Sequence, residues 1–434
     1  DRSPSRGLGD VYKRQVCMPS VRVLVAPLLG LLLAARLAPL LDRPPLTVDS
    51  SLSPSQLRET LSAARLAHVG GQHRGGTTLL LRGIASHNAV SLHSLHAAAA
   101  LAIESEGAPP QPQLAAQRAA TLEAKLHNEG IFLQDVYPKS GLDHQPQFFL
   151  RRRVSRLVCA ISPSLEGWIE RTLPASLAYK LVPWLSCRLK EGIGGYAFSR
   201  ASRLDAQHPL ANEAGALRLF SQWEPHWNTS KPWLVEKSPS NARAIGMLSA
   251  MWAAARVKEV RFIFISRHPI AQALAMRVFI EPDDAVLEHQ IQHWLAVEEA
   301  IREDSLRYLR SVALLSLEGL AAAPLQVVSK LLAWMGLCTD MSELGGETAD
   351  WAQSVQTSPN AKYAAFYKER FENDAHARAE HTAIVRAYGA QVQTVSGYLL
   401  HSPPEEFVQP PQRDTQWTRE WVGDHKSDLV VTVI

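Results

Sequence analysis

The segment HVGGQHRGGTTLLLRGI, residues 68–84, has the residue types and spacing of a phosphate-binding loop. Gly71 is followed after four residues by Gly76, and Thr77 and Thr78 precede an apolar run. A glycine loop between a strand and a helix directs backbone N–H groups at a phosphate. The ATP-binding form of the loop has a lysine directly after the last glycine, and this chain has Thr77 there. The segment therefore predicts binding of a compact 5′-phosphate-type group rather than Mg-ATP.

Three cations are candidates for holding such an anion. Arg74 lies within the loop, and its planar guanidinium is permanently charged. Lys237 and Arg267 stand where two predicted strands end, in WLVEKSPSN and FIFISRHP. Ligands of open parallel sheets bind beyond the carboxyl ends of the strands, so we expect these three side chains to line one cleft. The loop residues expected to bind the anion are Gly71, His73, Arg74, Gly75, Gly76, Thr77 and Thr78.

The elements that must position these residues follow a regular alternation. A helix at 56–66 leads into a short strand at 68–69, and a helix at 77–87 follows the loop. Later in the chain, apolar strands alternate with helical patterns: strands at 233–237, 260–266 and 311–320, and helices at 241–257, 268–279, 283–304 and 324–337. This alternation predicts an α/β fold, a P-loop-type three-layer domain with a mainly parallel sheet, plus helical insertions.

The N-terminal region reads as processing and targeting sequence. Residues 1–17 resemble a translated cloning adaptor, and Met18 is the expected start. An apolar run of 13 residues, 23–35, is broken by Arg36 and continues to Leu41. Residues 18–45 therefore predict a signal anchor or a signal peptide, since a membrane-spanning helix needs about 20 residues. Both direct the rest of the chain into the secretory lumen. The anchor is favoured, with a single-pass Golgi or secretory-pathway location and a lumenal catalytic domain.

The remaining boundaries come from composition. Residues 46–60 form a Pro-containing stem, and 61–400 form the main domain. Insertions are expected at about 98–125 and 151–195. The Pro-containing tail, 401–434, is expected to be poorly ordered.

Charge and cysteine spacing exclude two classes of partner. The net charge is +3, with 45 Lys/Arg and 42 Asp/Glu. Residues 1–45 hold seven of the basic and three of the acidic residues, so the rest of the chain has 38 and 39. A nucleic-acid binder would show a basic excess or face, so nucleic acid is not an expected partner. Cysteines and histidines lack the spacing of a zinc site, and no metal is expected.

Several motifs together resemble the PAPS-dependent sulfotransferases, where PAPS is 3′-phosphoadenosine 5′-phosphosulfate. The resemblance rests on the segments GGQHRGGTTLL, LVEKSPSN and FIFISRHPIAQALA, with further matches in NEGIFLQDVYP and HWLAVEEAI. The branch whose loop reads G-G-x-H-R-S-G-T-[ST]-L, similar to the protein-tyrosine sulfotransferases, is the nearest, and the resemblance spans roughly residues 66–400. It implies transfer of a sulfuryl group from PAPS, without a metal, to a hydroxyl of a protein tyrosine, a glycan or a small molecule, giving 3′,5′-ADP.

The resemblance also implies roles for individual residues. The loop would hold the 5′-phosphosulfate, Lys237 and Arg74 would steady the transferring sulfuryl group, and Arg267 would bind the 3′-phosphate. Two positions depart from the pattern. Gly75 stands where the family has a loop serine, and Ala275 stands where it has a serine on the 3′-phosphate.

The general base is the least defined part of the predicted site. In the protein-tyrosine sulfotransferases it is a glutamate about two dozen residues after the loop, but this chain has no carboxylate there before Glu104. Glu129, in NEGIFLQDVYP, is the strongest candidate, with a helix-capping or ion-pairing role as the alternative. The further candidates are Glu104, Glu106, His93 and His96.

Two other functions stay open. A catalytically degenerate PAPS-binding homologue, acting as a membrane-anchored partner protein, is favoured by the two lost serines. A P-loop kinase or ATPase is disfavoured, because the loop lysine and a Walker-B aspartate are both missing from the sequence. The acceptor is not identified, and the chain could form a homodimer.

Overall fold

The computed structural model describes residues 49–93, 129–137, 203–276, 287–308, 311–338, 346–355, 358–401, 411 and 430–433. The predicted leader, the signal segment, the insertion at 151–195 and the one at 98–125 lie outside these residues. Within the described ranges, no helix is both long and apolar enough to cross a membrane.

Six strands of the described chain form one sheet, in the order β2-β3-β1-β4-β5-β6. Every pairing in this sheet is parallel. The predicted α/β class with a mainly parallel sheet is therefore confirmed. The strands are β1 (Arg65–Gly71), β2 (Val90–Leu92), β3 (Trp233–Lys237), β4 (Glu259–Ser266), β5 (Ser311–Ser316) and β6 (Val430–Val433).

Helices connect the strands and continue beyond them. Those before β4 are α1 (Pro54–Ala63), α2 (Thr77–Ala85), α3 (Glu213–Trp223) and α4 (Asn241–Ala254). Those after β4 are α5 (Pro269–Met276), α6 (Leu287–Tyr308), α7 (Leu317–Ala322), α8 (Pro324–Trp334), α9 (Gly346–Ser354), α10 (Ala361–Asn373) and α11 (Ala375–Ser396). Two short 3-10 turns, Gly130–Phe132 and Glu224–His226, complete the described elements.

Two apolar clusters on opposite faces of the sheet make the domain three-layered. Successive side chains of a strand point to opposite faces. Phe262 and Phe264 of β4 accordingly pack in one cluster with residues of α1, α3, α4 and α6. Ile263 and Ile265 pack in the other with residues of α2, α7, α8 and α9. Strands covered on both faces need apolar residues at consecutive positions, which explains the FIFI run.

Local signals fix several element ends. Ser53 caps α1 by accepting a hydrogen bond from the backbone N–H of Gln56, and Pro54 occupies the first turn. Gly397 ends α11 with φ 80°, in the left-handed region that glycine adopts without strain. The predicted strand 311–320 ends early, because the Ser316 side chain accepts the N–H of Gly319 and starts α7.

Four residues of the C-terminal tail form a strand that the sequence does not predict. Val430–Val433 is the edge strand β6 and pairs with β5. The short strand β2, which pairs with β3, was also not predicted. Both strands are only three or four residues long, and such short runs carry little periodicity for a sequence to display.

Candidate active site

The carboxyl ends of three neighbouring strands, β3, β1 and β4, meet at one edge of the sheet. The register pairs Val69 with Lys237 and Gly71 with Ile265. The residues that follow β1, β3 and β4 therefore leave the sheet side by side. One backbone bond fixes two of these exits to each other, from the N–H of Gly71 to the carbonyl of Pro239 at 3.2 Å. This edge is where the sequence places the glycine loop, Lys237 and Arg267.

The loop after β1 depends on two of its glycines. Gly71 has φ 139° and Gly76 has φ 103°, both in the region that favours glycine. A Cβ on Gly71 would lie 2.2 Å from the carbonyl oxygen of Ile265, and one on Gly76 would lie 2.8 Å from Leu317 Cδ1. Any other residue at either position would displace the loop, so these glycines set its path toward the α2 N-terminus.

Neighbouring side chains brace the loop through its carbonyl groups. Gln272 Nε2 donates to the carbonyl of His73 at 2.9 Å, and Arg267 Nη1 donates to that of Arg74 at 3.0 Å. Arg74 has φ 60°, an uncommon conformation for a residue with a side chain. The Arg74 and Thr78 side chains are exposed, whereas Thr77 is buried. Arg74 and Thr78 are thus the loop side chains best placed to meet a ligand from solvent.

Lys237 and Glu129 form a buried ion pair. Lys237 Nζ lies 2.7 Å from Glu129 Oε1, and the two side chains are 0% and 8% exposed. Lys237 thus pairs with Glu129 and not with Glu236, its neighbour in β3, because successive strand residues point to opposite faces. The fold brings together two residues separated by 108 positions. One is the lysine to which the family resemblance gives the sulfuryl group. The other is the glutamate for which the sequence leaves a general-base and an ion-pairing role open, and its role as base stays a prediction.

The other base candidate in the described chain is His93. It is buried 4.4 Å from the Trp227 ring, measured between ring centroids. Burial lowers the pKa of His93 well below its ordinary value, and the charges of His226 and His68 add to the effect. A base with so low a pKa accepts a proton poorly near neutral pH, so Glu129 is the better candidate. Glu104, Glu106 and His96 lie outside the described residues.

Arg267 is buried and held by three hydrogen bonds to the protein. Its Nε donates to Asn360 Oδ1 at 2.7 Å, and Nη2 donates to the Pro359 carbonyl at 2.9 Å. The third is the bond to the carbonyl of Arg74. Its guanidinium also lies over the Tyr363 ring, 4.9 Å from the centroid. Burial lowers the pKa of Arg267 from its ordinary value, but an arginine remains charged at neutral pH.

Glu318 orders the surroundings of Arg267. Its carboxylate accepts hydrogen bonds from Asn360 Nδ2 at 2.6 Å, from the N–H of His268 at 2.9 Å and from the Tyr398 hydroxyl at 2.5 Å. Burial raises the pKa of Glu318, and these hydrogen bonds oppose the rise. The sequence does not single out Asn360, because nothing near it in sequence marks it as a neighbour of Arg267.

The two departures from the family pattern lie in closely packed surroundings. A Cβ on Gly75 would lie 2.8 Å from the carbonyl oxygen of Gln72, so the loop conformation has no room for the usual serine. Ala275 is buried in α5, with 1% of its surface exposed. The loop backbone thus explains the glycine at position 75, whereas nothing in the structure explains Ala275.

Comparisons with known proteins identify the family. A sequence model of the sulfotransferase family matches residues 67–341, more than half of the chain. The chain belongs to the sulfotransferase family. The matched part of this sulfotransferase includes the glycine loop, Glu129, Lys237 and Arg267. No curated protein matches the chain. One solved structure similar to it is the sulfotransferase STF1 of Mycobacterium tuberculosis H37Rv, with 14% identity, a TM-score of 0.35 and coverage of 69% of this chain and 74% of that one.

The described part of this sulfotransferase contains no candidate metal site. No group of three or more His, Cys, Asp or Glu side chains there could hold a metal ion. The expectation of a metal-independent reaction stays a prediction.

Proposed function

We propose that this sulfotransferase moves a sulfuryl group from PAPS to an acceptor hydroxyl and releases 3′,5′-ADP. The observation that carries the proposal is the buried pair of Lys237 and Glu129 at the sheet edge where the glycine loop begins. A cation suited to a transferring anionic group and a carboxylate able to take a proton lie within hydrogen-bonding distance of each other. Sulfuryl transfer to a hydroxyl needs both of these groups.

The residues have distinct roles in the proposed reaction. The acceptor oxygen forms a bond to sulfur while the bond from sulfur to the bridging phosphate oxygen breaks. The hydroxyl proton passes to Glu129, and the electron pair of the broken bond stays on the 5′-phosphate of the product. Lys237 and Arg74 stabilise the negative charge that develops on the oxygens. The loop amides and Thr78 hold the 5′-phosphosulfate in line for the attack.

Arg267 is the proposed ligand of the 3′-phosphate. A guanidinium has five N–H groups, and its bonds to Asn360, Pro359 and Arg74 use three of them in the part of the chain that the structure describes. Two remain for an incoming phosphate. The bond to Arg74 also links this arginine to the loop, so one rigid unit would hold both ends of the donor. The residues present therefore fit PAPS.

Donor identity is tested by comparing two nucleotides on the purified chain. Titration calorimetry should show much tighter binding of 3′,5′-ADP than of 5′-AMP, because only the former has the 3′-phosphate. Arg267→Lys is the matched variant, since it keeps the charge and loses the planar donor set. It should bring the two affinities closer. Equal affinities in the wild-type chain would remove Arg267 from the 3′-phosphate site.

Turnover is tested with labelled PAPS and a mixed set of peptides, glycans and small phenols. A protein tyrosine or a glycan hydroxyl is the proposed acceptor class, from the resemblance noted above. Transfer of label identifies the class that is used. A chain that binds 3′,5′-ADP but transfers to none of them would favour the second candidate, the degenerate homologue, for which Ala275 is the supporting observation. Preference for ATP would instead favour a kinase.

Membrane attachment is part of the proposal. The apolar run in residues 23–41 supports a single-pass anchor with the catalytic domain in the secretory lumen, and a homodimer is compatible with it. A tagged chain starting at Met18 should fractionate with secretory membranes, with its C-terminus protected from protease in intact vesicles. A soluble cytosolic product would end this part of the proposal.

A further inference from the structure

A second buried carboxylate lies directly beside the proposed catalytic pair. Glu236 precedes Lys237 in β3 and has none of its surface exposed. The two neighbours point to opposite faces of the sheet, and Glu236 lies on the face where Leu234 packs with Phe262 and Phe264. The proposed reaction assigns Glu236 no part, and a carboxylate taken fully out of water needs strong hydrogen bonds.

The partners of Glu236 lie next to the two proposed catalytic residues. Glu236 Oε1 accepts the backbone N–H of Gly130 at 3.0 Å and the hydroxyl of Ser238 at 2.5 Å. Gly130 follows Glu129 in the chain, and Ser238 follows Lys237. One carboxylate oxygen therefore ties together the two backbone segments that carry the base and the cation, although they are more than 100 positions apart.

The remaining contacts hold the carboxylate in one orientation. Asn241 Nδ2 donates to Glu236 Oε2 at 2.5 Å and to the carbonyl of Val69 at 3.0 Å. Trp252 Nε1 donates to His68 Nε2 at 2.8 Å, which places the ring proton of His68 on Nδ1. That nitrogen faces Glu236 Oε2 at 3.7 Å. Donors thus surround both oxygens and leave Glu236 little freedom to rotate.

The 130–131 turn is held from further directions. Ser238 Oγ accepts the N–H of Ile131 at 3.1 Å, and Trp223 Nε1 donates to the carbonyl of Gly130 at 2.9 Å. A Cβ on Gly130 would lie 2.6 Å from Glu236 Cγ. The backbone after Glu129 therefore rests directly on the Glu236 side chain, and a shift of one moves the other.

We infer that Glu236 is a positioning residue for sulfuryl transfer. It fixes the Glu129 carboxylate relative to the Lys237 ammonium by binding the residue that follows each of them. The inference rests on the proposed function, in which these two groups act on the acceptor and the sulfuryl group. A carboxylate that served stability alone would leave turnover unchanged once the chain is folded.

The test is Glu236→Gln in the full chain. An amide keeps the shape but has one acceptor oxygen. Its NH₂ group would face either the Gly130 N–H and the Ser238 hydroxyl or the Asn241 amide N–H. The expected result is a fall in kcat of about 10²-fold, as for a misplacement of about 1 Å in an active site. The KM for PAPS and the affinity for 3′,5′-ADP should stay at wild-type values, because Arg267 and the loop are unchanged.

Asp304→Asn is the matched control. Asp304 is also a buried carboxylate, and its ion-pair partner is Arg203, outside this cluster. The Asp304→Asn variant should have a lower free energy of unfolding and a wild-type kcat. Wild-type kcat in Glu236→Gln, or a loss confined to the KM for PAPS, would overturn the inference. If Glu236→Gln does not fold, Ser238→Ala decides in the same way, since it removes one of the two bonds to Oε1 and the bond from the Ile131 N–H that holds the same turn.

A crystal structure of the Glu236→Gln variant separates this inference from the proposed function. The Glu129 Oε1 to Lys237 Nζ distance is 2.7 Å in the wild-type chain, and we expect it to lengthen. An unchanged distance overturns the inference whether or not an acceptor has been found. Lack of turnover by the wild-type chain with every acceptor class would instead refute the proposed function, and the distance would still decide the role of Glu236. If Glu236→Gln does not crystallise, the same measurement is made on Ser238→Ala.

Discussion

The buried pair of Glu129 and Lys237 should be strongly coupled, and a double-mutant cycle can measure the coupling. Glu129→Gln and Lys237→Met each remove one charge of a pair whose side chains are 8% and 0% exposed. Breaking a buried pair by removing one partner costs about 3–5 kcal/mol, whereas replacing both partners is often close to neutral. Since the glutamine oxygen can still accept a hydrogen bond, we expect the loss of stability in Glu129→Gln to lie at the lower end of that range. Because the double variant should be close to neutral, the two single losses add in the cycle, and the coupling free energy should be about 6 kcal/mol.

The chain provides a matched control at its surface. Arg58 and Glu213 also approach to 2.7 Å, but their side chains are 58% and 48% exposed. The corresponding cycle, Arg58→Met with Glu213→Gln, should give a coupling of no more than about 1 kcal/mol, as exposed pairs do. Both cycles use the free energy of unfolding from urea titrations at pH 7. A coupling at the buried pair as small as that at the surface would refute the reasoning, because burial is the main difference between the two pairs.

The same variant tests catalysis. Glu129→Gln should retain 3′,5′-ADP binding and lose turnover by about 10²- to 10⁴-fold, the effect of removing a general acid or base. Normal turnover in Glu129→Gln would show that another residue is the base, and the remaining candidates are Glu104, Glu106, His93 and His96. Failure to bind 3′,5′-ADP at all would instead make Glu129 structural.

Three further predictions concern His268, Gly130 and Ala275. Burial lowers the pKa of His268 to about 3 in the folded chain. The unfolded chain therefore binds more protons, and stability should be full above about pH 6.5 and fall by up to about 1.4 kcal/mol per unit as the pH drops toward 3. Urea titrations at pH 7 and 5 should show a smaller decline in His268→Gln, and an equal decline would contradict the assignment. Gly130→Ala should reduce turnover by pressing on Glu236, whereas Gly389→Ala, in a helix where the nearest atom to a Cβ is 3.8 Å away, should raise the free energy of unfolding by about 0.5–1 kcal/mol; equal turnover in both would count against the close contact. Ala275→Ser should tighten 3′,5′-ADP binding by about 0.5–1.5 kcal/mol in calorimetry, and no change would show that other donors already satisfy the phosphate.

The strands and the loop could be predicted because their signals are local. Consecutive apolar residues mark a strand covered on both faces, and the glycine spacing marks a turn that needs positive φ. Gly71 and Gly76 have those φ values. The parallel order then places the ends of β1, β3 and β4 at one edge of the sheet. The position of Lys237 and Arg267 at this edge follows from the rule that ligands of open parallel sheets bind beyond the carboxyl ends of the strands.

The partners of the site residues could not be predicted in the same way. Asn360 lies 93 positions after Arg267 and reaches it only because α10 packs beside α5. The motif around Glu129 indicates a candidate base, but the ion pair of Glu129 with Lys237 depends on a turn that Trp223 and Glu236 hold in place. Side-chain contacts of this kind follow from tertiary packing, and neither periodicity nor composition encodes them.

The positions of Lys237 and Arg267 explain how the site can bind an anion without a lysine in the loop. An ATP-type loop carries its lysine on the same segment as its glycines, so one turn of chain holds a whole phosphate group. Here Lys237 and Arg267 stand at the ends of two other strands, and the sheet register sets the spacing between them. A buried carboxylate orders the surroundings of each cation. Glu236 accepts the hydroxyl of Ser238, the residue after Lys237. Glu318 accepts a hydrogen bond from Asn360, which in turn binds Arg267. A site divided in this way suits an elongated anion with charge at both ends, because the loop and Lys237 stand at one end and Arg267 at the other.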